Sequence, residues 1–316
     1  MRCRARASIL LPAALAVCAA CAPASDTAPG GARPSTVPAA DSLAPSLSFH
    51  ACERLVIGSP VAVCVGFNGV AILADQSPPR LVSFDPATNA CQEFQAPGDR
   101  PAFRASDVSV RGFFVYAVDE ANRQLLRWDA SGTYRDVLLS FEDLVVRRRV
   151  SPFSLDVDAS GRVAVSDVEN HQIVVLDTYL NVDVAFGNYG SFDGQMDTPQ
   201  GVSFTPRGEL LVADTGNARL QVFSDAGALR RVIPAPGEAN PLRRPRRAVA
   251  LEDGRIFVAD PGAGRVFELA PDGRVIRGIV PAGCTGFEPT DVAPARDGVL
   301  YVTDAASKTL FAIRVM

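Results

Sequence analysis

Histidine, the commonest general base, occurs twice in the 316 residues, at His50 and His171. Two imidazoles cannot furnish a three-histidine metal site. No Gly-x-Ser-x-Gly elbow and no glycine-rich phosphate loop occurs, so serine acyl transfer and nucleotide chemistry lack their usual frames. The remaining candidates are carboxylates, cations and thiols. Asp107, Asp156 and Asp291, with Asn217, offer the all-oxygen ligand set that would suit calcium. Six other aspartates, Asp75, Asp119, Asp167, Asp214, Asp260 and Asp304, each close an apolar run. One carboxylate per run fits bonding to the backbone of the following loop better than acid–base pairing. Cys52, Cys64, Cys91 and Cys284 contain no CxxC and allow two disulfides in three connectivities. The net charge of −4 gives no global attraction for nucleic acid.

The elements that position these groups come from a repeat. The six aspartates stand at intervals of 44 to 48 residues, each after a run such as Leu210-Leu211-Val212-Ala213. A glycine precedes the aspartate by six residues in five copies (Gly69, Gly161, Gly208, Gly254, Gly298), and in the second copy Gly112 stands one place earlier. Several lie in hairpin dipeptides such as Asp253-Gly254. Six residues after each aspartate the side chain is aliphatic, and nine after it is large and apolar, for example Leu220 and Phe223. Each unit therefore reads as four short antiparallel strands, which is a propeller blade. The fold expected is all-β, a six-bladed β-propeller over residues 47–316. A lone blade exposes two apolar faces, and radial packing of six buries them. The last copy ends at Met316 after its third strand. The segment Cys52–Ile57 is expected to supply the missing fourth strand, and a bridge from Cys52 would staple the ring.

The fourth copy carries a family resemblance. Phe186-Gly187-Asn188-Tyr189-Gly190, then Thr198-Pro199-Gln200-Gly201-Val202, then Val212 through Phe223 resemble an NHL repeat almost throughout. The third and fifth copies resemble it less, and the others match by register. The resemblance implies a propeller and leaves function open. Relatives of this type include amidating lyases with three-histidine zinc sites, histidine-dependent streptogramin lyases and calcium lactonases. The two histidines here depart from the first two patterns.

The N-terminus is of another kind. Arg2, Arg4 and Arg6 precede an apolar run from Ala7 to Ala20, the pattern of a secretory signal over 1–20. Its end, Cys18-Ala19-Ala20-Cys21, resembles a bacterial lipobox, with Cys18 where leucine is usual; the resemblance implies lipidation at Cys21. Residues 21–46 are rich in Pro, Ala, Ser and Gly and read as a flexible tether.

The reading is an exported lipoprotein of the bacterial periplasm or outer membrane, monomeric and anchored to a membrane by its lipid. It is expected to be a non-catalytic module for an anionic glycan or a protein, with no cofactor or metal and no nucleic-acid partner. In a propeller the loops leading into each first strand and those after each repeated aspartate share one face. Arg104, Gln200, Arg246, Arg247 and Thr290 are expected to line the channel mouth there. The alternative is a lactonase-like hydrolase or lyase with a calcium ion in the channel.

Overall fold

A computed structural model describes residues 41–315 apart from 45, 50, 53–54, 67, 99–102, 145–147 and 235–238, with backbone alone through 41–55 and at 297. The signal, most of the tether, Cys21 and His50 lie outside the described residues. The chain forms six radial sheets, each with four antiparallel strands. In the first five blades these run in chain order from the axis outward, while an N-terminal strand takes the outer place in the sixth. The inner strands are Pro60–Val65, Ala105–Arg111, Pro152–Val157, Pro199–Phe204, Arg247–Ala250 and Pro289–Pro294. The expected turns appear where positive φ is needed, as at Gly208 (78°) and Gly254 (86°). No described helix is long and apolar enough to cross a membrane.

Each of the six apolar clusters joins two neighbouring blades. Between blades one and two, Val61 and Ile72 meet Val115 and Trp128. Between blades six and one, Tyr301 and Leu310 meet Val63 and Phe84. The ring is therefore closed by packing as well as by strand pairing.

The closing strand differs from the expectation. Ser46–Phe49, not Cys52–Ile57, pairs antiparallel with Leu310–Ile313 and completes blade six. The reason is distance. From the outer strand to the next inner strand the chain crosses three strand spacings, about 14 Å. The three Cα–Cα steps from Ile57 to Pro60 span about 11 Å at most. Ala51–Cys52 and Leu55–Val56 instead form a small hairpin on the way. Asp41–Ala44, within the stretch read as tether, pairs in parallel with Gly278–Pro281 and adds a fifth strand to blade five. One stretch thus stitches the edges of two adjacent blades.

The expectation of two disulfides is also corrected. Cys91 is disulfide-bonded, whereas Cys64 and Cys284 are in no disulfide. Cys64 points from an inner strand and Cys284 packs beside the cluster between blades five and six. The side chain of Cys52 lies outside the described residues.

Candidate functional site

The repeated aspartates are clamps. Asp260 accepts the amides of Arg243 (2.7 Å), Arg244 (2.9 Å) and Ala263 (2.9 Å). Asp304 holds Glu288 and Ser307 in the same way. Each bridges its blade's lead-in loop to the loop after the aspartate, and backbone bonds such as Glu120 to Arg104 reinforce the join. The bond to the following loop was expected; the hold on the lead-in loop was not. These two loop sets make one face, which surrounds the channel mouth.

Bulges then send successive residues of the inner strands into the channel. Ala259 opposes both Arg246, whose amide it accepts at 2.9 Å, and Arg247, its register partner. Register shifts lie at the same place in blades one, two, three, four and six. A bulge puts two residues opposite one and re-aims both side chains. The result is two stacked rings. Val61, Ser106, Phe153, Gln200, Arg246 and Thr290 form the mouth, and Ala62, Asp107, Ser154, Arg247 and Asp291 form the floor. The space between them is about 10 Å³, at most a single water.

Arg247 closes the floor. The two hydrogens of its Nη1 are shared among Asp107 Oδ2 (2.9 Å), Ser154 Oγ (2.8 Å) and the carbonyls of Val202 (3.0 Å) and Leu155 (3.3 Å). Its Nε lies 3.7 Å from Asp291 Oδ1. Asp107 also accepts Ser154 Oγ–H (2.6 Å) and the Leu155 amide (2.9 Å), and Asp291 accepts the Val63 amide (2.8 Å). Burial works to lower the Arg247 pKa, but Asp107, Asp291 and Asp156 outweigh it and hold it well above its usual range. Burial pushes Asp291 up to about 7 against the pull of Arg247. Asp156 is raised by burial as well. Below the floor a cavity of about 220 Å³ is lined by Cys64, Ser109, Asp156 and Ser203. Burial, with Asp107 and Asp291, pushes the Cys64 thiol up, so it is a poor nucleophile.

Arg246, one residue away, is held quite differently. Its guanidinium lies 5.3 Å from the centroid of the Phe153 ring. It has no hydrogen bond or ion pair to any described residue, and burial lowers its pKa. The side-chain amide of Gln200 is likewise without a described partner. Thr290 is buried, bonded to Thr303 Oγ1 (2.8 Å) and to the Pro60 carbonyl (3.3 Å). Arg104 stands outside the ring, with its Nε 2.9 Å from Glu120. It lines a neighbouring cleft of about 320 Å³ with Glu120, Arg123, Phe153 and Glu169. Thus Gln200, Arg246 and Thr290 meet at the mouth as expected, Arg247 is spent in the floor, and Arg104 flanks the site. Phe153 and the floor role of Asp107 and Asp291 were missed. Register held the clue: Arg247 and Asp291 each precede a repeated aspartate by 13 residues, so both stand at one height in the channel.

The other cations of this face are mostly paired. Arg219 meets Asp214 (2.8 Å) and Arg123 approaches Glu169 (3.8 Å). His171 Nδ1 accepts the Thr198 amide (2.9 Å), so that nitrogen carries no proton and the nearby Asp197 carboxylate is not its ion-pair partner. Asn217 donates to Asp214 and to the Gly190 carbonyl, away from the channel. Among the described residues, no three His, Cys, Asp or Glu side chains are placed to share a metal ion.

Comparison with known proteins gives the following. Residues 196–223 match the NHL repeat family model. The chain is 33% identical over 106 residues to the human E3 ubiquitin-protein ligase TRIM32, which covers 34% of this chain and 14% of that protein. It is 34% identical over 77 residues to protein brain tumor of Drosophila melanogaster, 24% of this chain and 7% of that one. The chain therefore matches only a small part of these curated relatives. Over the whole propeller, a streptogramin B lyase structure superposes with a TM-score of 0.67 at 11% identity, covering 86% of this chain and 98% of that one. A gluconolactonase from Xanthomonas campestris gives 0.62 at 16% identity, covering 82% and 86%. Identities this low carry the fold alone.

Proposed function

We propose that this chain is an exported, lipid-anchored propeller that acts as a non-catalytic binding module through the channel mouth. The observation that carries the reading is Arg247. Its guanidinium lies between Asp107 and Asp291, so a fixed internal cation stands among the carboxylates that a calcium-dependent enzyme would keep for its metal. The proposed calcium set fails for two reasons. Arg247 takes Asp107 directly, and Asn217 lies elsewhere. A divalent cation beside a buried guanidinium meets like-charge repulsion in a low dielectric. The one described histidine spends its Nδ1 on a backbone amide, which removes that nitrogen as an acid or base. A mouth with an unpaired arginine and amide suits recognition. Cys21 with its small preceding residues, and the Pro/Ala/Ser stretch after it, support anchoring and export.

The runner-up, a lactonase- or lyase-like channel enzyme using calcium, draws on shared shape with the streptogramin B lyase and the gluconolactonase. One experiment separates the two readings. The purified protein is assayed by elemental analysis and for hydrolysis of lactones with and without added calcium. No turnover and no stoichiometric metal is the expected result, and calcium-dependent turnover would overturn the binding reading. Anchoring is checked separately by radiolabelled palmitate, which the wild type takes up and Cys21→Ala does not.

A further inference from the structure

We infer that the channel mouth is a receptor for a carboxylate carried by an acidic peptide segment, with Arg246 as its anchor; this rests on the binding-module reading. The argument starts from two unmet demands. Arg246 carries five N–H donors in a fork that matches a carboxylate. Among the described residues none accepts from it. It is nonetheless half-buried, and burial already works against its charge. A half-buried guanidinium keeps only part of its hydration, and a docking anion supplies the acceptors that the described residues do not. Gln200 adds a second free donor on the same ring.

Phe153 prepares the geometry. The ring holds the guanidinium face at 5.3 Å, which leaves the N–H edge for a ligand. The same residue walls the adjoining cleft of about 320 Å³, so a chain with its carboxylate on Arg246 continues into that cleft. There Pro152 and Val168 offer apolar wall, and Glu120 and Glu169 offer acceptors for peptide N–H groups.

Charge then favours an anion. Arg104, Arg123, Arg244 and Arg246 outnumber Glu120 and Glu169 around the mouth and cleft. Beneath them burial raises the Asp291 pKa, and Asp107 is taken by Arg247. A carboxylate on a peptide supplies that anion together with a chain to occupy the cleft, which a free phosphate does not. A uronate sugar would bring the same carboxylate but wants an aromatic face to stack on. The Phe153 face beside the mouth already carries the Arg246 guanidinium. The peptide source is therefore the one the surroundings fit.

The test selects binders to the full chain from a phage-displayed random heptapeptide library. Trigalacturonate and inorganic phosphate are titrated in parallel. We expect selected peptides with Asp or Glu fixed at one position. Replacing that acid by its amide, or Arg246→Gln, should each weaken binding on the order of tenfold. The two together should cost little more than either alone. Arg246→Lys should restore only part, because an ammonium lacks the fork. An unchanged melting temperature in Arg246→Gln shows that a loss is not unfolding. Selected peptides without an acid, or with affinity indifferent to Arg246, would overturn the carboxylate assignment and leave the binding-module reading intact. Tight trigalacturonate or phosphate binding with no peptide selected would overturn the peptide source. Calcium-dependent lactone turnover would instead sink the reading on which this inference rests.

Discussion

Arg246 and Arg247 are neighbours in sequence and belong to opposite regimes. On the floor ring, Arg247 meets carboxylates and carbonyls from blades two, three, four and six. On the mouth ring, Arg246 rests on one aromatic face and meets no acceptor among the described residues. The lesson is that a charge in a channel acquires its role from its acceptors. The floor holds the ring together across the axis, whereas the mouth keeps its hydrogen-bonding capacity for something outside.

The sharpest test of this contrast is to delete each arginine. Arg247→Ala leaves Asp107 and Asp291 buried without their cation, and breaking such a pair costs about 3–5 kcal/mol. The midpoint of urea unfolding should fall accordingly. Arg246→Ala is expected to move that midpoint little, by about 0.5 kcal/mol or less, because no hydrogen bond is lost. Equal losses at the two positions would erase the distinction drawn here.

The clamps give an intermediate effect. Asp260→Asn keeps the shape but replaces a carboxylate that accepts three amides. A cost of about 1–3 kcal/mol in urea unfolding is expected. Because Asp260 holds the loop that carries Arg246, ligand binding at the mouth should weaken too.

The pH response sharpens the account of the floor. Asp291 titrates near 7 in the fold, against an ordinary aspartate value of 3.8. Between those values the folded state keeps a proton that the unfolded state has released. This contribution to stability is fully present below about 3.8 and is lost as pH rises through 7. The wild type should thus lose urea resistance between pH 5 and pH 8 relative to Asp291→Asn, whose amide does not titrate. A constant difference between the two proteins across that range would remove Asp291 from the argument.

Much of the fold was legible because a blade is a local object. The glycine turns, the apolar runs and the repeated aspartates all fall within one repeat, so spacing alone revealed six blades. The mouth residues Gln200, Arg246 and Thr290 were legible for the same reason, since each stands 14 residues before a repeated aspartate. The closing strand was less so. Both Ser46–Phe49 and Cys52–Ile57 are short apolar stretches, and only the width of a blade excluded the second. The thiols were no clearer, because spacing says nothing about which cysteines meet.

What the sequence by itself determined is the blade, its number and the height of each residue along the channel, because these follow from short-range periodicity. Only the tertiary structure decided which of two adjacent arginines is spent and which is free. The Arg247 guanidinium and the Asp107 carboxylate lie 140 residues apart in the chain, and bulges in separate blades aim them at one point. Burial and pairing across a closed ring are properties of all six blades at once, so no single repeat encodes them.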